Sequence, residues 1–240
     1  MENRDIRERV NSWAPPERPN GAPMDGAYVT LKRLNAASHA SAIHGANSRD
    51  TTIWDYLPYG PFGTAATYAA WVNSVQAGTD PLFYAILDKE RGKWAGVASY
   101  MRVAPDAGSI EVGHINFAVP LQRTRAATEA MFLMMKWVFQ AGYRRFEWKC
   151  DAANLASRRA AERLGFSYEG VFRQAAVVKG RNRDTAWFAI INSEWPALER
   201  AFERWLRADN FDSGGQQRTR LRNLTAPIRV SADPAVRAGR

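Results

Sequence analysis

The apolar positions of this chain change period several times, and the changes mark out its elements. "YVTLKRL" from Tyr28 alternates as a first strand, and two helical stretches follow at 37–47 and 64–77. Between them, the prolines and glycines of "WDYLPYGPFG" break any regular element and predict an aromatic-rich loop able to wall a pocket. "PLFYAILDKERGKWAGVASYMRV" and "GSIEVGHINFAV" supply three strands, joined by the turn-prone runs Lys89-Glu90-Arg91-Gly92 and Pro105-Asp106-Ala107-Gly108. Antiparallel neighbours are expected there. After Val119 the period lengthens to nearly four. Ala127, Ala130, Met131, Met134, Met135 and Val138 fall on one face of a helix running to about Gln140, where Gly142 can supply a left-handed end. The methionines on that face read as core.

"RRFEWKC" from Arg144 returns as a strand. Strand, helix, strand is a crossover, so this strand and the one ending at Val119 are predicted to be parallel neighbours. A second helix covers 154–164 and stops at Gly165. A last hairpin then turns at Gly180-Arg181-Asn182, and "EWPALERAFERWLRADN" follows as an amphipathic helix. The fold class is α/β, an α+β mixed sheet that is mostly antiparallel with a central parallel pair and flanking helices. The expected organisation is an N-terminal extension over 1–27, a domain over 28–208 and a basic, disordered tail over 209–240.

Composition narrows the function classes. With 240 residues, 46% of them apolar, the chain can bury one sizeable core. Its one cysteine, Cys150, excludes an internal disulfide, and three scattered histidines give no metal-ligand spacing, so no metal is expected. No stretch is long enough to span a bilayer, and the N-terminal residues mix both charge signs without an apolar segment. A reduced, cytoplasmic protein without a membrane partner is expected. The formal charge of +9 suits nucleic acid, an acidic protein or a phosphorylated ligand. No nucleic-acid motif appears and the aromatics are dispersed through core-like segments, so a nucleic-acid partner is not expected. The stretch 209–240 carries six arginines against three aspartates; Arg218, Arg220 and Arg222 read as a solvated basic run.

The segment "NFAVPLQRTRAATEAMFLMMKWVF" carries the chemistry. A strand breaks at Pro120 and a helix begins with a basic first turn, although cations suit the other end of a helix dipole. That mismatch points to an anionic ligand at the free amides of the turn. The order of elements, Gln122 and Ala127 at the ends of a Q-x-x-x-x-A start followed by Thr128-Glu129-Ala130, the "NLAS" opening the next helix and the "RLGFSYEG" after it together resemble the GCN5-related N-acetyltransferases. The likeness is strongest to their ribosomal-protein N-acetyltransferase branch and covers about 28–192.

The resemblance implies acetyl-CoA as co-substrate. Gln122, Arg123, Thr124, Arg125, Ala126, Ala127 and Thr128 would cradle its pyrophosphate, and the backbone of Phe117, Ala118 and Val119 would bind the acetyl carbonyl and pantetheine amides. Arg125 stands where the family has glycine; pointing outward its guanidinium can reach a phosphate, and pointing inward it blocks the loop. Asn154 and Ser157 match an N-x-x-S pair in which the asparagine holds the pantetheine arm and the serine protonates the departing thiolate. The tyrosine that serves elsewhere in the superfamily is replaced by Ala161.

Glu111 is the candidate base for the acceptor amine, with His114 and water as alternatives. Strand alternation sets Glu111 on one face and His114 on the other unless a bulge intervenes. Cys150 has no activating partner, so direct transfer in a ternary complex is expected. The acceptor implied is a protein N-terminal α-amine. A small-molecule amine is favoured if the aromatic loop closes the acceptor groove, and a non-catalytic CoA-sensing or nucleic-acid-binding protein on the same fold is the alternative of another class. A homodimer, through the amphipathic helix, is compatible with the pattern.

Overall fold

The computed structural model describes residues 10–238. The first nine residues of the N-terminal extension and the last two of the basic segment lie outside the described residues. Among the described residues eight strands form one sheet in the order β1-β2-β3-β4-β5-β6-β8-β7. β1 (Met24–Asp25), β2 (Val29–Arg33), β3 (Leu82–Asp88), β4 (Lys93–Ala104) and β5 (Ser109–Phe117) follow one another antiparallel. β6 (Arg145–Asp151) runs parallel to β5, as a crossover requires. The hairpin β7 (Ser167–Val178) and β8 (Arg181–Ile191) closes the order, with β8 inserted against β6. The predicted α/β class and its single parallel pair are both present.

Strand alternation splits the core between the two faces of the sheet. Leu82, Tyr84 and Ile86 face α3 (Arg125–Gln140), whose Ala130, Met131, Met134, Met135 and Val138 are buried against them together with α5 (Trp195–Leu206). Phe83, Ala85 and Val97 face the other way, into a second cluster with α1 (Ala36–Asn47), α2 (Ala65–Val75) and Trp54 of the aromatic loop. This second cover stops at β5. From β5 to β7 that face of the sheet carries charged side chains. Among the described residues no helix is long and apolar enough to cross a membrane.

The basic segment beyond 208 is not the disordered tail that its composition suggests. Leu221 is fully buried in the main core, and Leu224 and Ile228 pack against it. Two short helices, α6 (Leu221–Thr225) and α7 (Pro234–Ala238), carry the chain back to α4 (Leu155–Arg163). There Asp233, fully shielded from solvent, accepts from Arg158 Nε and Nη2 at 2.6 Å each, and Arg229 pairs with buried Glu162 at 2.5 Å. The arginines that gave the segment its tail-like charge thus include an anchor. The N-terminal boundary also shifts: β1 adds an edge strand before residue 28, and Tyr143 Oη donates to the carbonyl of Glu17.

Candidate active site

β5 and β6 pair only from Ser109 and Arg145 to Val112 and Trp148. Beyond Val112 the two parallel strands part, while β5 stays bonded to β4 as far as Phe117. The backbone of residues 113–118 therefore has no strand partner on its β6 side. An edge of unpaired amides and carbonyls inside a sheet fits an extended, amide-bearing ligand. Phe117, Ala118 and Val119 lie along it, with Ala118 buried, Val119 exposed and the Phe117 carbonyl accepting from Gln122 Nε2 at 2.8 Å.

Within the same stretch β5 holds one residue more than β4. Ser99 pairs with Gly113 and Val97 with Asn116, so three steps on β5 oppose two on β4. The bulge sits at His114, whose φ is +52°, and turns its ring onto the face of Phe83 and Tyr59, at ring distances of 5.0 and 5.5 Å. Glu111 and His114 consequently share a face, contrary to simple alternation. Burial, helped by the nearby charges of Arg102 and Arg183, pushes the imidazole from 6.5 down to about 4, and it is neutral near pH 7. Its Nδ1 is shielded from solvent and has no hydrogen-bond partner among the described residues.

Pro120 ends the strand, and Leu121 and Gln122 fold back by donating to the Ala118 carbonyl. Thr124 caps α3: its Oγ1 accepts from Ala127 N at 3.0 Å and donates to the Leu121 carbonyl at 2.7 Å. Among the described residues no hydrogen bond uses the amides of Arg123, Arg125 or Ala126, which stay available at the positive end of the helix. Arg123 is exposed with φ +61°; Thr128 is buried and accepts from Arg163 Nη2 at 3.2 Å. Arg125 takes neither of the two orientations anticipated. Its backbone is helical and its guanidinium lies between the rings of Tyr28 and Phe211, 4.6 and 4.7 Å from their centroids. Buried Glu129, one turn on, accepts from the amides of Ala27 and Tyr28 at 2.9 and 2.6 Å and so fixes Tyr28. The guanidinium makes no hydrogen bond to a described residue, which leaves its N–H donors beside the loop for an anion.

Across the gap, Asn154 caps α4 with Oδ1 on the amide of Ser157 at 2.9 Å. Ser157 Oγ accepts from the indole Nε1 of Trp148 at 3.0 Å. The indole therefore occupies an oxygen lone pair and leaves the hydroxyl proton for another acceptor. The adjacent Cys150 thiol is pushed up to about 11 by burial, with the Ser157 hydroxyl partly opposing, so it is not a ready nucleophile. Trp148 was not singled out in the sequence; its strand position opposite a helix N-terminus was the available signal.

On the charged face, the two oxygens of Glu111 accept from Arg102 Nη1 at 2.8 and 2.9 Å, and Lys149 Nζ lies 3.0 Å away. Lys149 also reaches Glu147 at 2.7 Å, Arg145 reaches Glu147 at 2.7 Å, and Arg145 forks onto Glu169 of β7. Burial raises the Glu147 carboxyl, but hydrogen bonds from Lys149 and Arg145 outweigh it and hold the group below its ordinary value. The aromatic loop leans over this face. Lys179, in the β7–β8 turn, donates to the Trp54 carbonyl at 2.9 Å, and Tyr56 Oη donates to the Ala153 carbonyl at 3.4 Å.

A sheet that opens at one parallel pair, beside free amides at a helix N-terminus, defines an acyl-CoA N-acyltransferase fold. The chain belongs to the acetyltransferase (GNAT) domain family, which matches residues 29–167. It is an acetyl-CoA-dependent N-acetyltransferase. A GCN5-related N-acetyltransferase from Brucella melitensis superposes with a TM-score of 0.88 at 45% identity, over 90% of this chain and 100% of that one. A GNAT-family protein from Chromobacterium violaceum gives 0.75 at 40% identity, over 80% and 96%. The microcin C7 self-immunity acetyltransferase, solved in complex with acetyl-CoA and AMP, shares the fold at 0.62 and 19% identity, over 69% of this chain and 93% of its own. None of the curated proteins matches the chain.

Proposed function

We propose that the chain transfers acetyl from acetyl-CoA directly to the primary amine of a small molecule. The observation that carries this reading is the aromatic loop. It is tied to the β7–β8 turn through Lys179 and Trp54, to the β6–α4 connection through Tyr56, and to the β5 bulge through Tyr59 on His114. A groove bridged at both sides admits a compact acceptor. The protein N-terminal α-amine implied by the sequence resemblance would require those ties to open.

In the transfer, the amine lone pair attacks the thioester carbonyl carbon. A C–N bond forms as the C–S bond breaks, the nitrogen gives up a proton and the departing thiolate takes one, leaving an amide and free CoA thiol. Arg102, whose charge helps keep His114 neutral, disfavours an ammonium for the same Coulombic reason. Both Glu111 oxygens already accept from cations, whereas His114 Nδ1 is unengaged. We therefore assign proton removal to His114, alone or through water, and give Glu111 the task of holding Arg102 and Lys149 on the acceptor face. Ser157, polarised by Trp148, donates to the leaving sulfur; the Asn154 amide nitrogen holds the pantetheine arm; the amides of Arg123, Arg125 and Ala126 hold the pyrophosphate.

Saturating acetyl-CoA is expected to raise the melting temperature, since a ligand at about 100 times its Kd stabilises the folded state by about 2.7 kcal/mol. Ser157→Ala should keep that shift and lower kcat about ten- to hundredfold, because a hydrogen bond to a charged group contributes about 1.5–3 kcal/mol and this one strengthens as charge develops on sulfur. Turnover is measured with a panel of small amines and of short peptides with free N-termini. Preference for the peptides would overturn the small-acceptor reading, and an unchanged kcat would remove the role of Ser157.

A further inference from the structure

The charged ladder on the acceptor face closes on itself. Arg102, Lys149 and Arg145 answer Glu111, Glu147 and Glu169, cation for carboxylate. Arg183 of β8 stands outside it. It points to the same face as Trp187, because the intervening Ala186 and the neighbouring Phe188 lie in the core on the opposite side. Arg183 is half-buried, makes no hydrogen bond or ion pair with a described residue, and its Nε is shielded from solvent. Its charge acts on both His114 and Cys150, which puts the guanidinium within electrostatic reach of the β5 bulge and the end of β6.

Two further donors on this face of the sheet are in the same condition. Trp187 Nε1 is buried with no acceptor among the described residues, although its ring is well packed, 4.5 Å from Phe172 and with Lys149 Nζ 3.7 Å from its centroid. The Tyr59 hydroxyl, on the ring that stacks on His114, is buried without a partner among the described residues, and burial holds its proton firmly. A buried donor left unsatisfied loses its hydration and gains nothing in return. A folded chain keeps few such groups, and several on the face of one site mark the place of an absent acceptor. All three are N–H or O–H donors, and one carries a full positive charge. The complement is an anion.

We propose that the acceptor is a small amine bearing an anionic group, a carboxylate or a phosphate, which Arg183 binds with help from the Trp187 indole N–H. This deepens the small-amine reading and rests on it. Arg183 would orient the acceptor by its anionic end while the amine faces His114 and the open edge of β5, so it is a specificity-determining residue.

The test uses the full chain and paired probes: glycine against glycinamide, and phosphoethanolamine against ethanolamine. In each pair the charged member is expected to have at least about tenfold higher kcat/KM, as loss of a charge-assisted fork would give. The pair with the larger ratio identifies carboxylate or phosphate. Arg183→Gln should abolish the ratio by raising KM for the charged member alone, with the acetyl-CoA melting shift unchanged. Arg183→Lys should restore part of it. A merely structural arginine behaves otherwise: its removal lowers the melting temperature of the ligand-free chain, whereas removing an unanswered half-buried cation leaves it unchanged or raises it. Binding is read without turnover from the Trp187 indole N–H resonance, which should move with the charged probes and stay still in Arg183→Gln. If neutral amines are acetylated as well as charged ones, or Arg183→Gln slows both members equally, the proposal falls and the transferase reading stands. If the charged probes move the resonance but no amine is acetylated, the anion site stands and the small-amine reading falls. No movement and no charge preference overturns the anion site.

Discussion

Asp233→Ala removes the partner of a buried arginine some 75 residues away in sequence. Arg158 sits on α4 beside Ser157, its side chain is 7% exposed, and two of its three nitrogens donate to Asp233 at 2.6 Å. The third donates to the Ala152 carbonyl at 2.6 Å, which holds the connection leading into Asn154. Deleting one member of such a pair leaves an uncompensated buried charge and costs about 3–5 kcal/mol. For a chain of this length each kcal/mol moves the midpoint by about 2–4 °C, so the melting temperature should fall by roughly 6–20 °C. Thermal unfolding followed by far-UV circular dichroism measures this directly. The variant that replaces both partners, Arg158→Met with Asp233→Leu, should recover much of the loss, because a hydrophobic pair of similar volume removes the unpaired charge. The anchor also steadies the N-terminus of α4, so the KM for acetyl-CoA should rise in Asp233→Ala. A midpoint within about 1 °C of the parent's would refute the docking of the C-terminal segment, since an unpaired Arg158 could then reach water at no cost.

His114→Phe should flatten the acid limb of stability. The folded imidazole is pushed down to about 4 from 6.5, so between those values the unfolded chain binds the extra proton and stability falls as pH falls; an unaltered slope between pH 6.5 and 4 in the variant argues against the buried neutral ring. Arg125→Gly restores the residue usual in the family but dissolves the Tyr28–Arg125–Phe211 sandwich and removes a cation beside the free amides. The Kd for acetyl-CoA, read by calorimetry, should rise several-fold, and tighter binding would show that the side chain obstructs the loop.

The fold was largely legible because its periods are clean. The unbroken apolar run from Leu82 to Ile86 matches a strand buried on both faces, and the near-four spacing from Ala127 to Val138 matches one buried face of a helix. Parallel pairing of β5 with β6 followed from the crossover. The C-terminal segment was misread because its composition was weighed and its pairing could not be. Six arginines look solvated until Arg158 and Glu162 are seen to await Asp233 and Arg229. Neither position announces the other in the sequence. Of the site, the capping pair Asn154 and Ser157 and the turn after Pro120 were visible as local signals. The partners of Glu111 and Ser157 were not, since Lys149 and Trp148 meet them only through sheet register and a helix crossing.

The alternation rule fails at the candidate site for a physical reason. Arg102, His114, Arg123 and Gln174 all have positive φ without being glycine, and a left-handed L-residue costs about 1–2 kcal/mol. Such strain persists only where the surroundings hold it. Asp80 accepts from the amides of Arg102 and Val103 at 2.7 and 3.0 Å, Asp184 accepts from Gln174 N at 2.7 Å, and Ser99 Oγ donates to the Gly113 carbonyl beside His114. The holders of Arg102 and His114 lie on other strands or loops, so no window of local sequence contains both the strained residue and its support. Their effect is chemical. One extra residue in β5 moves His114 from the core face onto that of Glu111, and the bend at Arg102 lets its guanidinium cover both Glu111 oxygens. A perfectly regular sheet with this sequence would leave Glu111 to Lys149 alone and bury His114 in the opposite layer, taking the imidazole away from the acceptor face.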